Sequence, residues 1–277
     1  CISCGICASI CPTSGLIMVE DLKNGIYVPK IIKPCIGCGI CYNVCPGLGL
    51  DFLGMSSRFL NPKKRDSLIG SYISCYVGYS TDFTLRYYGS SGGVVSTIAI
   101  YLLKKKLVDG IVLTKMSESN PLRPKAFIAR SEEEILSAIG SKYCPVDLSL
   151  PVKIILESKG KYALVGLPCH IQAIRKLENI KPEFRKKIVL HLGLFCSRNI
   201  NFKGTEYLLW RLKLKKNQLK SFQYRSKGWP GCMTIQLKDG RVITLPYYKY
   251  YNSGFLLFTI PRCFLCPDAT AELADIS

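Results

Sequence analysis

The 277-residue chain has only two histidines, and 19 acidic residues against 38 basic ones. With so little histidine, a site built on imidazole ligands or on a histidine general base has almost no raw material. No apolar run reaches the roughly 18 residues of a membrane-spanning helix. Val94–Leu103 and Phe255–Ile260 come nearest, and both are too short. The chain carries no secretory signal and no G-x-G-x-x-G after a strand. It also has no helix-turn-helix, RNP or zinc-finger pattern, so the common nucleic-acid modules are excluded as its organising theme.

Cysteine, by contrast, is abundant, with 15 residues. Eight of them form two runs, Cys1-x2-Cys4-x2-Cys7-x3-Cys11-Pro12 and Cys35-x2-Cys38-x2-Cys41-x3-Cys45-Pro46, offset by 34 positions and identical at 8 of 12 places. This is the spacing of two-cluster bacterial ferredoxins, in which the fourth cysteine of each run ligates the other run's cluster. It assigns Cys1, Cys4, Cys7 and Cys45 to one [4Fe-4S] cluster, and Cys35, Cys38, Cys41 and Cys11 to a second. Three thiolates on a tight loop reach three corners of a cubane, and Gly5, Gly37 and Gly39 let backbone approach the sulfurs. Zinc sites use C-x2-C pairs rather than repeated quartets closed by Cys-Pro. Disulfides suit small secreted domains, so this many cysteines without a signal point to a reducing compartment. Residues 1 to about 50 therefore resemble a ferredoxin, a wire for single electrons. The expected location is the cytoplasm, free or at the cytoplasmic face of a membrane complex.

Between the runs, Leu16–Glu20 and Gly25–Ile32 read as strands joined at Asn24-Gly25, a hairpin signal. Residues 47 to 67 mix Gly, Ser, Pro and a basic run and read as exit and linker. The expected division is a ferredoxin-like domain over 1–54, a linker over 55–67 and a second domain over 68–277. In the second domain, 70–79 alternates like a strand. The loop Gly89–Gly93 enters a helix over Val94–Lys106, which serves equally as an anion site or as an ordinary capped helix start. Strands are predicted at Val108–Thr114, Ala126–Arg130, Lys161–Gly166 and Lys187–Phe195. Helices are predicted from Ser131, whose spacing to Glu134 fits a capping box, near Pro151–Ser158, and over Ile171–Leu177. Phe222–Arg225, Met233–Leu237 and Arg241–Leu245, with a turn at Asp239-Gly240, read as antiparallel. The expected fold is a mixed α/β catalytic domain with an antiparallel part, preceded by a small α+β ferredoxin-like two-cluster domain.

Cys169 and Cys196 each end a predicted strand, the edge at which α/β sheets bind ligands. Cys263-x2-Cys266 adds two thiols at ligand spacing. Four thiolates suit zinc as well as an iron–sulfur cluster, and spacing alone leaves both open. Here the chain resembles a known family, the beta subunits of coenzyme F420-reducing hydrogenases and dehydrogenases. The matching stretches are GSSGGVVS, VDGIVL, GSKY with the following PV, GKYALVGLPCHIQAIRKL, GLFCS, KGWPG and RCFLCPDATAELADIS. They run in order over residues 70 to 277. The resemblance implies that Cys169, Cys196, Cys263 and Cys266 hold a third [4Fe-4S] cluster. It also implies FAD around Ser90, Ser91, Gly92, Gly93, Ser141 and Lys142, with the flavin ring close to Cys169 and His170. The implied activity is that of an F420-dependent oxidoreductase. Coenzyme F420, the substrate, would exchange a hydride with FAD, and the clusters would exchange single electrons with another redox subunit or a fused module. No acid–base catalytic residue is singled out. Rival readings are a ferredoxin-dependent pigment reductase of the wider group and a cluster-only subunit without flavin. Family members continue past Ile276-Ser277, and the chain opens on a ligand cysteine, so it reads as cut at both ends.

The remaining residues take plainer readings. Three oxidised clusters with their thiolates bring about −6, which leaves about +13 of the net +19. That surplus favours an anionic partner, a phosphorylated or carboxylate-bearing cofactor or an acidic subunit. Lys142 and Arg225 are candidates to meet an anionic substrate. His191 alternates within an apolar strand and reads as structural, and Cys75, Cys144 and Cys232 read as buried small apolar side chains.

Overall fold

The structure, a computed structural model, describes residues 1–60, 62 and 64–277. Both cysteine runs fold alike. Their third residues, Ser3 and Gly37, and their fifth, Gly5 and Gly39, all take left-handed backbone, with φ of 65°, 70°, 78° and 69°. Each run then enters a one-turn helix, α1 (Ile6–Ser9) and, after a hairpin of β1 (Leu16–Asp21) and β2 (Ile26–Ile31), α2 (Ile40–Asn43). The left-handed region favours glycine. Ser3 is held there because its hydroxyl donates to the Tyr27 carbonyl (2.9 Å) and accepts from the Tyr27 N–H (3.1 Å), which ties the hairpin to the first run.

Of residues 55–67, expected to be linker, 61 and 63 lie outside the described residues, and the described ones fall largely in a helix and a strand pair. Helix α3 (Phe52–Phe59) starts where the Asp51 carboxylate accepts from the Gly54 N–H at 2.9 Å. Phe52, Met55 and Phe59 then recur on one face and pack against the core, a periodicity that outweighs the local Gly and Ser. A small antiparallel pair follows, β3 (Lys64–Asp66) with β4 (Gly70–Tyr72). The strand expected over 70–79 stops at Tyr72. The alternation continues, but no strand among the described residues pairs with 73–79, and Cys75 is exposed rather than buried. Cys144 is fully buried, as expected, and Cys232 is partly so.

Next come α4 (Phe83–Tyr88), α5 (Val94–Lys104), β5 (Gly110–Met116), β6 (Pro124–Ala129), α6 (Glu132–Ser137), α7 (Ser149–Glu157), β7 (Tyr162–Gly166), α8 (Pro168–Ile180), α9 (Pro182–Arg185) and β8 (Ile188–Gly193). The sheet order is β6-β5-β7-β8, with β5, β7 and β8 parallel and β6 antiparallel at the edge. Helix α10 (Phe202–Arg211) leads into an antiparallel sheet of β9 (Leu219–Ser226), β10 (Cys232–Leu237) and β11 (Val242–Pro246), closed by α11 (Tyr247–Tyr251). The mixed α/β class with an antiparallel part is the fold found.

The N-terminal module shares its core with the α/β part. Ile6, Ile10, Val44 and Met55 pack in one buried cluster with Val152 and Ile155 of α7 and Ile171 and Ile174 of α8. Polar ties run across the same junction. The Leu148 N–H donates to the Cys4 carbonyl (3.1 Å), and the Phe202 N–H, at the start of α10, donates to the Gly25 carbonyl (2.7 Å). Arg123 grips Glu20 with two bonds of 2.8 and 2.5 Å and lies over the Phe202 ring at 4.0 Å.

Candidate redox centre

Parallel strands deliver their C-terminal ends to one edge, and two of the second-set cysteines sit there. Cys169 follows β7 in the first turn of α8, and Cys196 lies just past β8. The Leu194 N–H donates to the Gly166 carbonyl at 2.9 Å, which prolongs the β7–β8 pairing into the site. Cys263 and Cys266 arrive on a one-turn segment, Pro261–Leu265, that faces this edge. All four cysteines line one cavity of about 270 Å³. Burial first, and then Cys4 and the other three thiols of the set, push the Cys169 thiol well above its ordinary range. Burial and the neighbouring Cys263 and Cys266 push Cys196 up to about 12. Thiols crowded round one cavity with raised pKa gain by giving up their protons to a metal centre. Among the described residues no three Cys, His, Asp or Glu converge on a single-ion point. Four thiols round one cavity fit the ligand demand of a four-iron cube.

The same cavity is walled by Ile2, Leu50 and Phe52 of the N-terminal module. Cys4 links the two cysteine systems electrostatically. Burial, then Cys7 and Cys45, raise its thiol to about 12, while its influence is felt in turn by Cys169. Cys7 is raised to about 11 by burial and by Cys45, with a contribution from Cys41 of the second run. Cys4, Cys7 and Cys45 thus lie within electrostatic reach of one another, as do Cys41 and Cys7, and Cys4 and Cys169. Cys1 and Cys35 make equivalent contacts, each accepting at 3.4 Å from the N–H two residues on (Ser3 and Gly37). Cys35 and Cys38 are exposed, and the Cys11 thiol lies 3.5 Å from the Thr13 hydroxyl.

The two loops singled out for flavin converge, and a third, at Gly228, meets the end of α4 beside them. The Ser141 N–H donates to the Ser90 hydroxyl at 2.6 Å, and the Gly228 N–H donates to the Tyr87 carbonyl at 2.7 Å. Gly93 begins α5 in left-handed backbone (φ 76°), where a Cβ would come 2.8 Å from the Leu85 carbonyl oxygen, so glycine is required. Gly92 lies beside it against Gly78 and Tyr79, and Ser91 is exposed on the same loop. The Lys142 ammonium is buried and donates to the carbonyls of Ala138, Ile139 and Gly140, with no carboxylate in that set. Burial lowers its pKa to about 7. A buried cation beside a Gly/Ser loop suits a phosphate-bearing group. Arg225 stands nearby, 3.4 Å from the Tyr143 hydroxyl and 4.8 Å over the Tyr247 ring. His170 is placed differently. It is buried behind Cys169, its Nδ1 accepts from the Leu167 N–H (3.3 Å), and burial lowers its pKa to about 4, so it is neutral.

Matches to known families agree with this geometry. Residues 75–153 and 159–277 match the N-terminal and C-terminal models of the coenzyme F420 hydrogenase/dehydrogenase beta subunit, and residues 1–47 match a 4Fe-4S dicluster domain. A coenzyme F420 hydrogenase subunit beta from Methanococcus voltae is 32% identical over 222 residues, covering 75% of this chain and 72% of the relative. The chain belongs to the coenzyme F420 hydrogenase/dehydrogenase beta subunit family. It is an iron–sulfur oxidoreductase of that family. A coenzyme F420-dependent sulfite reductase from Methanocaldococcus jannaschii is 26% identical over 204 residues, which is 68% of this chain and 30% of the relative. The F420-reducing [NiFe] hydrogenase complex from Methanosarcina barkeri contains a chain of the same fold, with a TM-score of 0.58, 23% identity, and 76% and 72% of the two chains covered.

Several residues that shape the centre carry no signal of their own in the sequence. Gln172 of α8 donates to the Asp268 carboxylate (2.8 Å), and the Asn199 N–H donates to the Cys263 sulfur (3.3 Å). These bonds orient the loops that bear the thiols. Lys176, one further turn along α8, donates to the carbonyls of Cys45 (2.9 Å) and Gly49 (2.8 Å). His191 is structural, as expected, and its network is larger than expected. Its Nδ1 faces Asp275 and its Nε2 faces Glu178, both at 2.8 Å, while Arg175 bonds the same two carboxylates at 2.7 and 3.0 Å.

Proposed function

We propose that the chain moves electrons between coenzyme F420 and a row of three [4Fe-4S] clusters. In this reading residues 1–54 carry two clusters and residues 68–277 carry the third, together with FAD. Cys169, Cys196, Cys263 and Cys266 hold the third cluster. Cys1, Cys4, Cys7 and Cys45 hold the first, and Cys35, Cys38, Cys41 and Cys11 the second. FAD, when bound, supplies the exchange between a two-electron hydride and single electrons. Ser90, Ser91, Gly92, Gly93, Ser141 and Lys142 hold it, with Lys142 facing its phosphates. His170 supports Cys169 from behind, neutral and fixed. Arg225 offers a charge to the acidic tail of F420. The far end of the row serves another redox subunit or a fused module.

The observation that supports this reading is contiguity. Cys4 lies close enough to Cys169 to push its thiol pKa up, Cys45 and Cys41 of the second run do the same to Cys7, and Ile2, Leu50 and Phe52 wall the cavity of the third set. The test is anaerobic visible spectroscopy of the cluster-loaded protein as reduced F420 is added. The flavin band should bleach first and the iron–sulfur absorbance should then fall. No bleaching by reduced F420, with full bleaching by reduced ferredoxin, would sink the F420 assignment.

A further inference from the structure

The two cysteine runs provide an internal comparison, because each position in one has an equivalent 34 residues on in the other. The first run is covered by the α/β part. Ile6 is fully buried. The Asp147 carboxylate lies so close to Gly5 that a Cβ there would fall 1.8 Å from Oδ1. In the second run the equivalent surface is bare. A Cβ at Gly39 would meet nothing within 4 Å, and α2 buries none of its residues. Ile36 and Tyr42, the equivalents of Ile2 and Ala8, are 65% and 63% exposed. Ile31 and Ile32 extend the patch along the end of β2. From Leu22 to Leu50 the chain has three lysines, Lys23, Lys30 and Lys33, all exposed, and no Asp or Glu.

Exposed apolar side chains flanked by charge of one sign, here Lys30 and Lys33, mark a docking face, with the charge steering encounter and the apolar centre giving contact. This one lies over exposed Cys35 and Cys38, at the open end of the cysteine row. A second copy of the chain is a poor occupant, since the same lysines would face each other across the contact. We propose that the face formed by Lys30, Ile31, Ile32, Lys33, Ile36 and Tyr42 docks a small acidic one-electron carrier protein, whose carboxylate-bearing loop approaches Gly39 as Asp147 approaches Gly5. The proposal rests on the electron-transfer reading above and names the partner for its far end. The step moves one electron and no atoms. The carrier's centre is oxidised as the second cluster is reduced, or the reverse.

The test uses the full chain with its clusters loaded, titrated anaerobically by calorimetry with an acidic plant-type [2Fe-2S] ferredoxin. One-to-one binding that weakens with added salt is expected. The double variant K30E/K33E and, separately, Ile36→Asp should each weaken binding by about tenfold or more, with the cluster EPR signals unchanged. Carbodiimide should cross-link ferredoxin carboxylates to Lys30 or Lys33. Variants that bind as the parent does, or cross-links that map elsewhere, overturn the proposal. So does a face that binds only anionic vesicles or a second copy. The two ideas separate on the same sample. Bleaching by reduced F420 without ferredoxin binding removes the docking face and leaves the F420 reading. Lysine-dependent ferredoxin binding without bleaching does the opposite.

Discussion

Lys142, half-buried, and His191, fully buried, are of opposite character. Lys142 is a cation held among carbonyls, with its pKa lowered to about 7 by burial. If phosphate is its intended partner, bound FAD restores the charge and the pKa rises. At pH 8 FAD binding should therefore take up a proton, seen by calorimetry in two buffers of different ionisation enthalpy. Lys142→Met should abolish the uptake and weaken FAD by about tenfold to a hundredfold, the range of a charged hydrogen bond. His191 lies between two carboxylates. Burial alone would lower its pKa, but the bonds to Asp275 and Glu178 outweigh that and raise it. Burial alone would raise Asp275, but His191 and Arg175 bring it down to about 2. The quartet balances its charge when His191 is protonated. His191→Leu should cost about 3–5 kcal/mol, as expected for breaking a buried ion network. A raised histidine pKa stabilises fully below the unfolded value of about 6.5 and loses that contribution as pH rises through the native value. The gap in Tm between parent and variant should thus be widest below about pH 6.5 and narrow above it.

Helix α8 joins the two cysteine systems. It opens on Cys169, holds Asp268 through Gln172 and Asp275 through Arg175, and reaches Cys45 through Lys176. Cys169→Ser should remove about four irons per chain and one EPR signal, leaving the signals of the two ferredoxin-type clusters. Lys176→Ala removes two bonds to a half-exposed ammonium and should cost about 1 kcal/mol, read by denaturant unfolding. The two-cluster domain of residues 1–47 was legible in the sequence because its ligand spacing is local and repeated. The strands β5, β7 and β8 were legible because their apolar runs are short and bounded by turn residues. The ties of α8 were not, since Arg175 and Asp275 stand 100 positions apart with no periodicity to link them. Helix α3 was hidden by Gly and Ser, whose turn signal competed with a genuine apolar stripe. Helix α10 went unread for a related reason, its tyrosine and tryptophan blurring the period. The strand expected over 73–79 failed because alternation gives a strand only where a neighbour supplies hydrogen bonds.

At the scale of the whole molecule, the ferredoxin-like module and the α/β part are one folding unit. Their shared cluster, from Ile6 and Val44 to Ile155 and Ile174, is exposed on both sides if either part unfolds alone. Calorimetry of the cluster-loaded chain should accordingly show a single cooperative transition. An early, separate transition from the N-terminal module would contradict the shared core. Chelating the iron should lower that one transition as a whole, because the metal sites bind the folded state only. The Arg123–Glu20 grip and the backbone bond from Phe202 to Gly25 have a further consequence. They fasten the hairpin at two points, to the turn before β6 and to the start of α10, which leaves no hinge between them. A tethered carrier domain must swing between donor and acceptor, and solvent viscosity limits its turnover. Here the distance from the third thiol set to the first is built into the core. On the proposed route, internal electron flow should be unchanged by added glycerol, and only the encounter with an outside carrier should slow.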